Sequence, residues 1–122
     1  MLVIFGGLPG VGKSTIAREV ARRSAAVYLR IDVIEQAMKD AGLSASDVGA
    51  AGYLAAYSLA KSNLGLGRTV VSDGVNPLPE TRTAWQSVGR DAGVKWIEIE
   101  VLARTPPSTG AASKAASATS TG

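Results

Sequence analysis

The sequence predicts an α/β domain in which an open, parallel sheet carries helices on both of its faces. Three observations lead to this prediction. Residues 2–7 read LVIFGG, a continuous apolar run ended by glycines, which is typical of a strand buried on both faces. Apolar runs then alternate with amphipathic segments, as in parallel β-α-β units. Apolar residues make up 46% of the 122 residues, which is enough for a packed core.

The first half of the chain supplies the second strand and three helices. After the opening strand, STIAREVARRS is amphipathic, and the side predicted to face the sheet carries Ile16, Ala17, Val20, Ala21 and Ser24. AAVYLRI (residues 25–31) predicts a strand. DVIEQAMKDAG predicts a helix capped by Asp32 and closed by Gly42. A longer helix is predicted from about Asp47 to Leu66, and its small residues indicate close packing.

The second half adds two strands and one helix. RTVVSDG is a short strand that ends in an acid, and LPETRTAWQSVGRDAG predicts a helix with Pro79 near its first turn. VKWIEIEVL alternates, so we expect a strand with one wetter face. Trp85 and Trp96 fall at core-like positions. The predicted element order is therefore β-α-β-α-α-β-α-β.

The last residues have a different character. Apart from Arg104 and Lys114, residues 104–122 contain only Thr, Pro, Ser, Gly and Ala. Such a composition buries little apolar surface, so we predict one domain over residues 1–103 and a disordered, low-complexity tail over residues 104–122.

Composition removes several classes of function. The chain has no cysteine and no histidine, which excludes disulfides, thiolate metal sites and a Ser-His-Asp triad. The formal net charge is only +3 with no strong basic cluster, which argues against nucleic acid as a partner. The longest apolar run spans about 13 residues, below the ~18 needed to cross a bilayer. We expect no membrane partner and a cytoplasmic protein, while the oligomeric state stays open.

The strongest functional signal is GLPGVGKS, which fits the phosphate-loop pattern G-x-x-x-x-G-K-[ST] at every fixed position. The glycines let successive backbone N–H groups point at phosphates, the lysine reaches the β- and γ-phosphates, and the serine hydroxyl ligates Mg²⁺. A buried strand before the motif and a helix after it supply the required context. The predicted nucleotide-binding residues are Gly7, Leu8, Pro9, Gly10, Val11, Gly12, Lys13, Ser14 and Thr15.

Two acids lie where a ligand of this loop would bind. Asp32 and Asp73 each follow an apolar strand, and ligands of open α/β sheets bind beyond the carboxyl ends of the strands. Asp73 is predicted to hold Mg²⁺ with Ser14, although either acid also suits a helix or turn cap. Asn76 and Arg82 follow the same sheet edge, but we interpret them as a turn residue and an exposed helix residue.

Other nucleotide-binding classes fit less well. A dinucleotide loop requires a third glycine where Thr15 stands. The guanine signature N-K-x-D is absent, and Asp73 is followed by Gly74 rather than by the second acid usual in oligomeric AAA+ motors.

The segments LVIFGGLPGVGKSTIAREVARR, YLRIDVIEQAM and GYLAAYSLAKSNLGLGRTVVSDGVNPLPETR resemble the small bacterial P-loop kinases of the AAA-domain-33 type, relatives of chloramphenicol phosphotransferase, gluconate kinase and zeta toxin. The resemblance covers residues 1–102. It implies a P-loop NTPase fold with three α/β/α layers, ATP with Mg²⁺, and phosphoryl transfer to a small hydroxyl-bearing acceptor. It also implies that Asp32 is the base and that Lys13 acts in catalysis.

The resemblance ends at the tail. Kinases of this type continue with an arginine-rich lid and further elements, so we predict that the lid and the C-terminal part are missing. One interpretation is that the tail is out-of-frame translation of a lid, and the alternative is a natural linker. The function hypotheses are therefore an ATP-dependent small-molecule kinase, a non-catalytic ATP-binding remnant of one, or a regulatory ATPase.

Overall fold

The protein was analysed as a computed structural model that describes residues 1–7, 12–75 and 79–101, together with the backbone of residues 114–119. The elements are β1 (Leu2–Gly6), α1 (Lys13–Ser24), β2 (Val27–Arg30), α2 (Ile31–Asp40), α3 (Ala45–Gly65), β3 (Val70–Asp73), α4 (Pro79–Asp91), β4 (Trp96–Val101) and β5 (Lys114–Thr119). The first eight follow the predicted order.

The strands form one sheet in the order β2-β3-β1-β4-β5, with β1 to β4 parallel. β1 lies in the middle and pairs with β3 on one side and β4 on the other. Its side chains alternate between the two faces because successive residues of a strand point in opposite directions. Leu2 and Ile4 enter one core, and Val3 and Phe5 enter the other.

Helices cover both faces, which makes three layers. On one face α1 packs Ala17 and Ala21 against the sheet. On the other face α3 and α4 pack the larger core, to which they contribute Ala56, Ala60, Leu64, Trp85 and Val88. The prediction of an open parallel sheet with helices on both faces is confirmed. Trp85 and Trp96 are buried as expected, whereas Ser24 at the end of α1 is exposed.

The start of α2 differs from the sequence prediction. The helix begins at Ile31 directly after β2, and the N-cap residue is Arg30, which has extended backbone angles and no side-chain cap. Asp32 is therefore not the cap but a residue of the first turn, where a carboxylate is favoured by the positive end of the helix. The prediction that Asp32 caps this helix is wrong, because the chain passes from strand to helix without a connecting loop.

A fifth strand occupies part of the segment that was predicted to be a disordered tail. β5 runs antiparallel to β4, with Thr119 opposite Trp96 and Lys114 opposite Val101. The outer edge of β4 offers unpaired N–H and C=O groups, and any extended segment can bond to them whatever its side chains. Composition gave no signal for this pairing. The division of the chain near residue 103 stays a prediction, and so does a missing lid.

Candidate functional site

The phosphate-loop motif connects β1 to α1, and its two described ends both require glycine. Gly7 has φ +124°, and a Cβ placed on it would lie 2.4 Å from the backbone oxygen of Val101. Gly12 has φ +85° and is the N-cap of α1. Both conformations are readily accessible only to glycine. The predicted loop residues Leu8, Pro9, Gly10 and Val11 lie outside the described residues.

Lys13 and Asp73 form a buried ion pair at the carboxyl end of the sheet. Lys13 is the first residue of α1 and only 6% exposed, and Asp73, the last residue of β3, is 1% exposed. The lysine Nζ donates to Asp73 Oδ1. Sequence reasoning assigned these two residues separate roles, and the fold brings them into direct contact.

Tyr28 on β2 holds the second oxygen of the same carboxylate. Its hydroxyl donates to Asp73 Oδ2 at 2.6 Å. Burial together with this hydrogen bond raises the pKa of Tyr28 to about 12, so the phenol stays a donor at neutral pH. The alternation of β2 places Tyr28 two residues before the strand end, a position that sequence reasoning did not single out.

The carboxylate of Asp73 remains ionised despite its burial. Burial alone raises the pKa of Asp73, but hydrogen bonds from Lys13, Tyr28 and Ser14 outweigh that effect and hold the pKa below its ordinary value. Three donors therefore surround one buried anion. Ser14 and Asp73, the two predicted metal ligands, are neighbours in this cluster.

A cavity of about 280 Å³, here called the loop cavity, lies in front of this cluster. It is lined by Gly12, Lys13, Ser14, Thr15, Arg30, Asp32 and Val75. The backbone N–H groups at the start of α1 lie at this cavity, and the positive end of the helix dipole favours an anion there. The cavity therefore joins a cation and a helix N-terminus, the combination that binds phosphate.

Arg30 adds a second cation to the loop cavity, which sequence reasoning did not assign to the site. Its Nη2 lies 3.9 Å from Asp32 Oδ2, and its buried Nε has no hydrogen-bond partner within the described ranges. The signal was present in the sequence, because Arg30 stands directly before the helix that carries Asp32, at the carboxyl end of a strand.

A larger cavity of about 550 Å³, here called the helical cavity, opens between α2, α3 and α4. Asp32 and Val75 line it as well as the loop cavity, and the remaining walls include Glu35, Tyr53, Tyr57 and Glu80. Sequence reasoning missed these four residues, although Glu35 follows Asp32 by three positions and thus shares its helix face. Arg82, which we interpreted from the sequence as an exposed helix residue, is exposed and is not part of either wall. Asn76, which we interpreted as a turn residue, lies outside the described residues.

Comparison with known proteins agrees with this architecture. Residues 2–117 match the AAA_33 family, described as an AAA domain. Over 114 residues the chain is 29% identical to the uncharacterized protein Rv2004c of Mycobacterium tuberculosis, covering 84% of this chain and 23% of that protein. The chain thus spans about a quarter of the length of the curated relatives that it matches.

Solved structures of kinases share the fold. The APS kinase CysC of Mycobacterium tuberculosis is 28% identical with a TM-score of 0.65, covering 89% of this chain and 80% of that chain. A second CysC structure, in complex with AMPPNP and APS, is 27% identical with a TM-score of 0.58, covering 80% of this chain and 59% of that chain. A gluconokinase from Sinorhizobium meliloti is 15% identical with a TM-score of 0.56, covering 77% and 54%. The chain therefore has a P-loop kinase-like fold of the nucleotide-binding type.

Within the described ranges, no helix has the combined length and apolar character that a membrane crossing requires.

Proposed function

Because the chain belongs to the AAA_33 family of AAA domains and has a P-loop kinase-like fold, we propose that it binds ATP with Mg²⁺ and transfers the γ-phosphate to the hydroxyl of a small molecule. The observation that carries this proposal is the shared wall of the two cavities. Asp32 and Val75 line both the loop cavity and the helical cavity. A phosphate donor in the first and an acceptor in the second would meet at Asp32.

The loop cavity is assigned to the phosphates of ATP. Lys13 would exchange its bond with Asp73 for contacts to the β- and γ-phosphates, and the N–H groups around Gly12 and Ser14 would donate to phosphate oxygens. Arg30 also lines this cavity and would add positive charge near the transferred group. In this assignment, Lys13 is paired with Asp73 before nucleotide binds. The phosphates would replace Asp73 as its partner when nucleotide is bound.

The donor set suits Mg²⁺. This ion takes hard oxygen ligands and usually only one or two from the protein, because phosphates and water supply the rest. The Ser14 hydroxyl and the ionised Asp73 carboxylate provide two such oxygens side by side. When bound, the ion would neutralise charge on the phosphates.

Asp32 is assigned the role of the general base. Its side chain is 68% exposed in this structure and faces the border between the cavities. In the proposed reaction its carboxylate accepts the proton of the acceptor hydroxyl, the acceptor oxygen bonds to the γ-phosphorus, and the bond from that phosphorus to the bridging oxygen breaks to leave ADP. The Arg30 guanidinium, 3.9 Å from this carboxylate, would favour its ionised form.

The test separates binding from turnover. Binding of a fluorescent ATP analogue with Mg²⁺ is measured first, and ADP release over a panel of hydroxyl compounds second. Wild type should bind, and both Lys13→Ala and Lys13→Ala/Asp73→Asn should not. The double variant serves as the control for folding, because it also removes the buried anion that the single variant leaves unpaired. Binding without turnover on any acceptor would favour a non-catalytic ATP-binding protein, and absence of binding would refute the proposal.

A further inference from the structure

We infer that the helical cavity takes a positively charged acceptor, a hydroxyl-bearing amine with an aromatic or apolar face. This inference rests on the proposed function, since it names the class of acceptor for the same site. It follows from the charge, the packing and the aromatic surface of the cavity walls.

The charged groups on the described walls of the helical cavity are all acidic. Asp32 and Glu35 project from the same side of α2, and Glu80 comes from the first turn of α4. No lysine or arginine belongs to those walls, and the chain has no histidine. Arg30, which pairs with Asp32 at 3.9 Å, lines the loop cavity and not the helical cavity.

In the part of the chain that the structure describes, the two acids that line only the helical cavity have no cationic partner. Within the described ranges, Glu35 and Glu80 form no ion pair, whereas Glu19, Asp73 and Asp91 all do. A carboxylate on a cavity wall without an intramolecular partner favours a cationic ligand and repels an anionic one. An acceptor that carries a carboxylate or a phosphate would therefore bind against two like charges.

Close packing of α2 on α3 holds Glu35 in this position. A Cβ added to Gly52 would lie 2.8 Å from Glu35 Cγ, so the glutamate stem lies directly on the backbone of α3. Glu35 is half-buried, and Tyr53 and Tyr57 of α3 line the same cavity. Gly52 is buried, and no other residue type leaves this space.

Two tyrosines complete the site. The Tyr53 and Tyr57 ring centroids are 6.1 Å apart, and Tyr57 packs edge-on against the buried Trp85 at 4.8 Å. These tilted and edge-on contacts pack the two rings together in the cavity wall. Aromatic faces attract organic cations and also bind apolar groups, so they complement an amine that carries an aromatic or aliphatic body.

Three compounds of one skeleton and different charge test the inference: 2-amino-3-phenylpropan-1-ol, 3-phenylpropan-1-ol and 3-phenyllactate, which are cationic, neutral and anionic at pH 7.5. Affinity for the full chain is measured by ligand-observed NMR in the presence of Mg²⁺ and AMPPNP. We expect the amine to bind about 5-fold more tightly than the alcohol, and the acid to bind most weakly.

Variants that remove one charge each then identify which acids cause the preference for the amine. Glu35→Gln and Glu80→Gln should each weaken binding of the amine about 3-fold and leave the neutral alcohol unchanged. Asp40→Asn removes the same charge from the far, exposed end of α2 and should change neither. Preference for the acid, no binding of the amine, or an equal response to Asp40→Asn would overturn the inference.

The outcome is distinguishable from failure of the proposed function. If the nucleotide binds to wild type but the acid is preferred, only the acceptor class is wrong. If the nucleotide does not bind, the kinase proposal fails, and the ranking of the three compounds, repeated without nucleotide, still decides the chemistry of the cavity.

Discussion

The two cavities are built in opposite ways. At the loop cavity the charged groups are buried and already bonded to one another: Lys13 and Asp73 are 6% and 1% exposed, and Tyr28 holds the remaining oxygen. At the helical cavity the acids are exposed or half-buried, and two of them have no cationic partner in the described part of the chain. Both cavities meet at Asp32.

This difference in burial determines which charged groups need partners within the folded protein and which do not. A buried charge is stable only with partners, so the loop cavity must be organised before a ligand arrives. Exposed charges are solvated and need no partner within the protein, so the acids of the helical cavity can stay unpaired until a ligand binds. We therefore expect substitutions at the loop cavity to alter folding and binding together, and substitutions at the helical cavity to alter only function.

The largest effect is expected for Lys13→Ala. It leaves the buried Asp73 carboxylate without its cation, and breaking a buried pair on one side costs about 3–5 kcal/mol. Urea unfolding followed by circular dichroism measures the loss. Lys13→Ala/Asp73→Asn should recover much of it, because the unpaired charge is gone. A double variant as unstable as the single one would contradict the ion-pair explanation.

Asp32→Asn should reduce catalysis and leave stability unchanged. We expect the kcat for phosphoryl transfer to fall by about 10²–10⁴, the usual contribution of a general base, while nucleotide affinity and the urea midpoint stay unchanged. Steady-state kinetics with any acceptor found in the panel of hydroxyl compounds provides the measurement, and Asp40→Asn on the same helix is the matched control. A variant that keeps its kcat would remove Asp32 from the chemistry.

A pair of glycine substitutions sharpens the comparison. In Gly7→Ala the new Cβ meets a backbone oxygen at a positive φ, and we expect a loss of about 2–3 kcal/mol. In Gly52→Ala the Cβ meets only the flexible Glu35 side chain, so stability should fall by less and binding of the amine should fall instead. Equal losses in urea unfolding would show that the two sites are equally rigid.

Tyr28→Phe tests the second donor to Asp73. Removing a hydrogen bond to a charged, buried acceptor should cost about 1–2 kcal/mol and raise the pKa of Asp73 towards its ordinary value. The carboxyl ¹³C shift of Asp73 in an NMR titration reports that pKa directly. An unchanged titration would mean that Lys13 and Ser14 alone set it.

The smallest effect concerns pH, because burial partly opposes the hydrogen bonds that lower the pKa of Asp73. A lowered pKa in the folded state means that the stabilisation is fully present above the ordinary value of about 3.8 and is lost as the pH falls through the folded value. The free energy of unfolding should fall more steeply below about pH 3.8 in wild type than in Asp73→Asn. Parallel curves would contradict this account.

Local sequence was sufficient to predict the first four strands, the helices and the phosphate-loop motif. Buried strands such as β1 need continuous apolar residues, and positive φ at Gly7 and Gly12 needs glycine, so the pattern carries the geometry. The cap at Asp32 was wrong because a strand leads into α2 without a loop. β5 was missed because main-chain pairing depends on an available edge rather than on composition.

The helical cavity was beyond the reach of local patterns. Its walls come from three helices, and only their packing brings Glu35, Tyr57 and Glu80 around one space. Likewise the contact between Lys13 and Asp73 joins residues 60 positions apart, and the local sequence around either residue does not predict the other as its partner. Pairings of this kind depend on strand order, which a motif does not specify.

The wall formed by Asp32 and Val75 would also couple the two proposed ligands thermodynamically. A ligand that changes the position or charge of this wall alters the surroundings of the other ligand, so we expect their binding free energies to depend on each other. Linkage requires any such effect to be reciprocal: the factor by which nucleotide changes the affinity for the acceptor equals the factor by which the acceptor changes the affinity for nucleotide. Cooperativity between the two adjoining cavities would then follow from one carboxylate at their boundary.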